Sequence, residues 1–343
     1  MSQLLIQQTI QQLQSDQFVS REQTEKVFNL IMQGEVTPAQ VGALLMGFTI
    51  RGETAEVVAG AAQAMRSAAT HVHPNSTGLL DTCGTGGDAA STFNISTAVS
   101  MVVAACGQPV AKHGNRAMSS KSGAADVLEA LGVKLELTPE QVAACIDEVG
   151  IGFLFAPNLH PAMRHAGPIR RELGIRTLFN ILGPLTNPAD AEYQLLGVYA
   201  EDRLELVADA LLKLGTKRAL VVHGRDGLDE ITTTSITDAF LVEEDRDIEP
   251  FEIDPSAFGM PFATPKAIKG GDASYNAEVI KHIFAGQKGA ARDIVLLNAG
   301  AALWVAQRAN SIGDGIAMAA EAIDSGRAEQ TLAALIRFTQ NQS

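Results

Sequence analysis

The 343-residue sequence contains no apolar run near the roughly 18 residues that would suggest a membrane-spanning helix. Cysteine is scarce: Cys83, Cys106 and Cys145 are odd in number and widely spaced. That excludes a disulfide framework and a cysteine-rich metal site, and it points to a reducing compartment. Aromatic residues are few, with one Trp and three Tyr, and Ala, Gly, Leu and Val dominate instead. Positive charge is also short: 26 Lys and Arg face 39 Asp and Glu, a formal net charge of −13. A general nucleic-acid binder would need a basic footprint, so the total argues against that class. It says little about small anionic substrates, which respond to local charge. The N-terminal "MSQLLIQQTIQQLQ" lacks a basic leader and a continuous apolar core, so a cytoplasmic protein is expected. The P-loop pattern G-x-x-x-x-G-K-[ST], the dinucleotide pattern G-x-G-x-x-G and the nucleophile elbow G-x-S-x-G are all missing. Internal repeats and low-complexity segments are missing too.

Apolar residues, at 46% against 19% charged, suffice for an ordinary core, and the length suggests about two domains. The first seventy or so residues read as helices. "SREQTEKVFNLIMQG" opens with Ser20 and Gln23 at capping-box spacing and closes at Gly34. "TPAQVGALLMGFTIRG" repeats the device with Thr37, Pro38 and Gln40, and "TAEVVAGAAQAMRSAA" is a third helix. After "HVHPNSTG" the character changes to strand-like runs alternating with helices of ten to fifteen residues. That alternation predicts an α/β class with a mostly parallel sheet and helices on both faces. The residues around 160–190 interrupt it with Pro- and Gly-broken helix and are expected to pack on the N-terminal helices. Residues 238–254 read as a hairpin at the sheet margin, and the tail from about Tyr275 reads as helical.

Three stretches carry chemistry. The first is "DTCGTGGDAASTFNIST", from Asp81 to Thr97, at a strand-to-helix junction. Gly84, Gly86 and Gly87 permit positive φ and close backbone approach, so successive amides can form an anion nest. The following helix adds free N–H groups and the positive end of its dipole. Ser91, Thr92, Ser96 and Thr97 supply hydroxyl donors, and the combination reads as a phosphate cradle. The second stretch is "AKHGNRAMSSKSGAAD". It concentrates Lys112, His113, Arg116 and Lys121 in a loop between a strand and a helix, at the carboxyl edge where α/β sheets bind ligands. The third is "GRDGLDEITTT", where Asp229 and Glu230 stand side by side after an apolar strand. Such a pair suits Mg²⁺, which takes one or two carboxylates and accepts substrate phosphate oxygens. Asp88 is a further carboxylate, for a sugar hydroxyl or a backbone amide. A diphosphate held by loops and metal suggests displacement at carbon with pyrophosphate leaving, which needs positioning and charge stabilisation, not a covalent intermediate.

Together and in this order, "GTGGD", "NIST", "KHGNRAMSSKSGAADVLEALG", "RRELGIRT", "FNILGPLTNP" and "GLDE" resemble the anthranilate phosphoribosyltransferase family over nearly the whole chain. The resemblance implies transfer of the 5-phosphoribosyl group of phosphoribosyl pyrophosphate (PRPP) to the amine of anthranilate, in tryptophan biosynthesis. By position, Gly84, Gly87, Asp88, Thr92, Asn94, Ile95, Ser96 and Thr97 hold PRPP. Lys112, His113, Gly114, Asn115, Arg116, Ala117, Met118, Ser119 and Ser120 wrap it from the other side. Ser96, Asp229 and Glu230 bind Mg²⁺, the implied cofactor, and Gly84, Asn115 and Arg170 contact anthranilate. Lys112 and Arg116 are the candidates for charge stabilisation, and no residue is cast as a covalent catalyst. His113 and His160 are either substrate contacts or structural histidines. The implied fold is a small all-helical domain (1–75, with 160–190 packing on it) beside a larger α/β domain (76–343), of the nucleoside phosphorylase/phosphoribosyltransferase type. Homodimers through the helical domain are implied as well. One departure is Ala124, where the family often has a serine. Two other readings remain: a pyrimidine nucleoside phosphorylase and a non-catalytic nucleic-acid-binding relative.

Overall fold

The structure, a computed structural model, describes residues 2–88, 90–117 and 121–342. The chain opens with four helices, α1 (Ser2–Gln14), α2 (Arg21–Gln33), α3 (Pro38–Arg51) and α4 (Ala55–Ser67). Local chemistry sets their ends. Ser20 accepts the Gln23 amide at the start of α2, and Gly34 ends the helix in the left-handed region at φ 76°. Thr37 and Gln40 form a full capping box on α3, behind Pro38. The box expected at Ser20 is only half made. The Gln23 side chain turns away to donate to Thr9 Oγ1 and Gln12 Oε1 of α1, because packing two helices offers it buried partners.

Strands and helices then alternate: β1 (Leu80–Asp81), α5 (Ile95–Ala105), β2 (Val110–Gly114), α6 (Ala124–Ala130), α7 (Pro139–Val149) and β3 (Ile151–Phe155). The broken stretch follows as α8 (Ala156–Leu159), α9 (Gly167–Leu173) and α10 (Phe179–Leu182). Next come β4 (Tyr193–Gly197), α11 (Leu204–Lys213), β5 (Arg218–Gly224) and the antiparallel β6 (Thr237–Glu243) and β7 (Glu249–Ile253). Four helices close the chain: α12 (Ala273–Phe284), α13 (Ala290–Val305), α14 (Ile312–Asp324) and α15 (Arg327–Gln340).

The seven strands lie in the order β3-β2-β1-β4-β5-β6-β7, parallel from β3 to β5. Alternation along the strands feeds two cores. Leu220 and Val222 of β5 face the layer of α5, α12, α13, α14 and α15. Ala219 and Val221 face α11 and the N-terminal helices. Leu178, Phe179, Leu182 and Leu185 join that second core, where Phe179 packs on Phe28 with ring centroids 5.7 Å apart. Among the described residues no helix is long and apolar enough to cross a membrane, and all three cysteines are free. The strand order reverses direction between β1 and β4. In open α/β sheets such a switch point leaves a crevice at the carboxyl ends of the strands.

Candidate active site

The glycine loop leaves β1 at that switch point and runs over the end of β4. Thr85 N donates to Gly197 O (2.8 Å), and Thr85 Oγ1 accepts from Tyr199 N (3.0 Å). Gly86 and Gly87 have φ of 65° and 80°, as a cradle of convergent amides requires. Gly84 does not adopt positive φ. A side chain there is opposed by contact instead, since a Cβ would stand 3.0 Å from Asp229 Oδ2 and 3.2 Å from Gly197 O. Gly197 is tighter still. A Cβ there would lie 1.6 Å from the Asp229 carbonyl oxygen, so only glycine lets the acidic loop cross the end of β4.

The two acidic residues are fastened to this cradle. Asp229 Oδ2 accepts from Gly86 N (2.7 Å), and Glu230 Oε1 accepts from Ser96 N (3.2 Å) at the first turn of α5. Both carboxyls are raised above their usual range, first by burial; the charge of Asp88 and then that of Glu230 add to this at Asp229, and the charge of Asp88 adds to it at Glu230. Lys112 is the cation that opposes this at Glu230. Three crowded carboxylates and a serine hydroxyl, all hard oxygen donors, fit Mg²⁺, which would relieve their repulsion. A second cluster, Asp81, Cys83 and His113, does not fit it. Thiol and imidazole are soft or borderline ligands, and both Asp81 oxygens already accept hydrogen bonds, from His113 N and Asn187 Nδ2.

Lys112, His113 and Gly114 belong to β2, so the wrapping loop is shorter than the sequence suggests and begins at Asn115. Parallel pairing with β3 continues as far as Gly114, opposite Phe155. Lys112 is 2% exposed and donates toward Thr82 Oγ1 (3.3 Å) at the end of β1, beneath the cradle. Arg116, the other candidate for charge stabilisation, has its guanidinium paired with Glu129 and Asp126 of α6. Asp126 also accepts from Ala117 N (2.9 Å) and Gly123 N (2.8 Å) and so folds the loop back on α6. Met118, Ser119 and Ser120 lie outside the described residues. Asp88 Oδ1 accepts from Ala90 N (3.2 Å), Thr92 bridges to Lys269, and Ile95 and Thr97 are buried.

His113 and His160 stack obliquely, with ring centroids 5.1 Å apart at 53°. His113 Nδ1 meets Gly183 O (3.2 Å), and both Nε2 atoms are buried without a partner. Burial pushes His113 down to about 3 and His160 to about 4, so both rings are neutral at pH 7. Arg170 lies over Phe179, 5.0 Å from the ring centroid, and burial lowers its pKa. Arg171 is exposed on the same helix.

Four further residues shape the site without having been singled out in the sequence. Arg176, inside "RRELGIRT", stacks on Tyr199 and donates to Gly87 O (2.5 Å), tying the 160–190 stretch to the cradle. Gly197 is the contact described above. Asn276 of α12 donates to Asn94 Oδ1 (2.9 Å), while Asn94 Nδ2 donates to Ser122 O (3.2 Å) in the wrapping loop. Asn298 holds the residue after Glu230. Only Arg176 stood in a motif that pointed to it; the others sit in ordinary apolar or helical text.

Residues 76–329 match the glycosyl transferase family, a/b domain, and residues 7–69 match the glycosyl transferase family, helical bundle domain. The anthranilate phosphoribosyltransferase of Acetivibrio thermocellus is 49% identical over 337 residues, covering 98% of this chain and 97% of that protein. The crystal structure of anthranilate phosphoribosyltransferase from Thermus thermophilus superposes with a TM-score of 0.91 at 42% identity, covering 97% of this chain and 99% of that one. The Saccharomyces cerevisiae enzyme in complex with PRPP and Mg superposes with a TM-score of 0.89 at 27% identity, covering 98% of each chain. The chain belongs to the anthranilate phosphoribosyltransferase family.

Proposed function

We propose that this chain transfers the 5-phosphoribosyl group of PRPP to the amine of anthranilate, yielding N-(5-phosphoribosyl)anthranilate and pyrophosphate. The observation that carries this reading is the bonding of Asp229 and Glu230 to amides of the phosphate cradle itself. Carboxylates there would repel a bare phosphate, so the cradle suits a phosphate ligand that arrives with a divalent cation. The same repulsion counts against a phosphorylase that uses free inorganic phosphate. The S. cerevisiae relative, with PRPP and Mg bound, supports the choice.

In this reading the amides and hydroxyls from Gly84 to Ser96 hold PRPP, with Asn115 to Ala117 closing over it. Asp229, Glu230 and Ser96 hold Mg²⁺. When bound, the ion neutralises charge gathering on the departing pyrophosphate. The C1–O bond to pyrophosphate breaks as the anthranilate nitrogen forms its bond to C1, and the amine then gives up a proton. Lys112 contributes fixed positive charge beneath the cradle. Gly84, Asn115 and Arg170 bind anthranilate, with the planar guanidinium of Arg170 facing its carboxylate. Among the described residues no carboxylate forms an ion pair with Arg170, which leaves its fork free. The unpartnered Nε2 atoms of His113 and His160 are acceptors suited to the aromatic amine.

The finer assignments are part of the same proposal: a place in tryptophan biosynthesis, a cytoplasmic location, and a helical domain over residues 1–75 beside an α/β domain over 76–343. A homodimer through the helical domain would bury Leu4, Phe18 and Ile50, which are 58%, 63% and 76% exposed. The test is anthranilate fluorescence. It should disappear on mixing protein, PRPP and Mg²⁺, with one pyrophosphate released per anthranilate consumed. Fluorescence that persists under those conditions overturns the assignment.

A further inference from the structure

Asn298 is fully buried in α13, and its side chain serves the backbone of another segment. Its Oδ1 accepts from Ile231 N (2.9 Å), while its Nδ2 donates to Ile231 O (2.7 Å) and to Ile294 O (2.8 Å). The pattern admits only this amide orientation, since the reverse would set donor against donor at Ile231 N. Ile231 directly follows Glu230, belongs to no strand, and has its side chain in the core under α13. A buried main-chain N–H and C=O outside any ladder must find partners, and one asparagine supplies both.

The rest of the acidic loop is fixed in a similar way. Gly224 N donates to Leu228 O (2.8 Å) before the pair, and Thr232 N donates to Thr237 Oγ1 (2.9 Å) after it. Between these anchors Asp229 and Glu230 repel each other and Asp88. Against that repulsion, the fixed backbone on either side decides where the two carboxylates point. An apolar residue at 298 would fill the space but release Ile231.

We infer that Asn298 is a positioning residue for the divalent-cation site: by clamping the backbone of Ile231 it sets the direction in which Glu230 and Asp229 present their oxygens. The inference rests on the Mg²⁺ reading above. It is tested with Asn298→Ala and with Asn298→Asp, which keeps the acceptor for Ile231 N and loses both donors. Mn²⁺ is the probe, its binding to protein plus PRPP followed by electron paramagnetic resonance. Affinity for Mn²⁺ should fall about tenfold, as for loss of an orienting partner around a metal site. The Mg²⁺ needed for half-maximal turnover should rise in parallel, with the KM for anthranilate unchanged and excess Mg²⁺ restoring most of kcat. A folded variant with wild-type Mn²⁺ affinity overturns the inference, as does a loss of activity that metal does not restore. Wild-type protein that fails to consume anthranilate would instead sink the functional reading. Should both variants fail to fold, hydrogen exchange in the wild type decides. The Ile231 amide should be strongly protected, and exchange at the rate of an open turn overturns the clamp.

Discussion

At His113 and His160 loss of water outweighs every other influence on the rings. Each is nearly closed to solvent, and each pKa falls mainly because a buried imidazolium would be poorly solvated. Stability is linked to that shift. In the unfolded chain these histidines take up protons near pH 6.5, whereas the folded His160 does so near 4. Between those values the unfolded state binds more protons, so stability falls as pH falls. Replacing His160 with Asn removes this contribution, and the Asp81 carboxyl, raised to about 6, acts equally on both proteins. From pH 6.5 to 4.5 the wild type should therefore lose about 1–2 kcal/mol more than the variant, as read from denaturant midpoints at each pH. The sequence shows two histidines near a basic stretch. It does not show that their rings share one closed pocket, because they lie on β2 and beyond α8.

The two phosphate loops are coupled by asparagines. Asn94 heads α5 without capping it, because its side chain serves Ser122 and Asn276 instead. Asn276 also accepts from Gly271 N (2.8 Å), so the segment before α12 braces the cradle, where Gly270 N donates to Ser91 O (2.8 Å). Cutting this link should loosen both loops together. Asn276→Ala is expected to raise the KM for PRPP by roughly 3- to 10-fold, the worth of one or two neutral hydrogen bonds, and to leave the KM for anthranilate unchanged. Steady-state kinetics with each substrate varied in turn will show whether the effect is confined to the donor. Asn94 was legible from "NIST"; Asn276, far along the chain, had no signal because its role depends on where α12 packs.

Across the whole molecule the sheet is clamped between two helical layers. The outer helices on the α13 side depend on a buried charge. Arg292 is almost fully enclosed and makes paired bonds to Asp324 at the end of α14 (2.6 and 2.9 Å). The guanidinium holds the Asp324 carboxyl down to about 2. This contribution is fully present above the ordinary carboxylate value near 3.8 and is lost as pH falls through about 2. Asp324→Asn should destabilise the protein by about 1–2 kcal/mol at pH 7, modest for a charged pair because half of the Asp324 side chain meets solvent. Chemical denaturation followed by circular dichroism measures it, and the difference should shrink toward pH 2.

The sequence by itself determined the helical start, the strand–helix alternation, the hairpin at the sheet margin and the three loops that carry the chemistry. Those features are written locally, in capping residues, periodicity and clustered glycines. Tertiary structure alone decided that Gly197 must lack a side chain, that Arg116 spends its charge on α6, and that Arg176, Asn276 and Asn298 hold loops distant in sequence. Such roles arise where separate elements meet at one end of the sheet. Which atoms face each other there depends on the packing of every layer, and no short stretch of sequence encodes that.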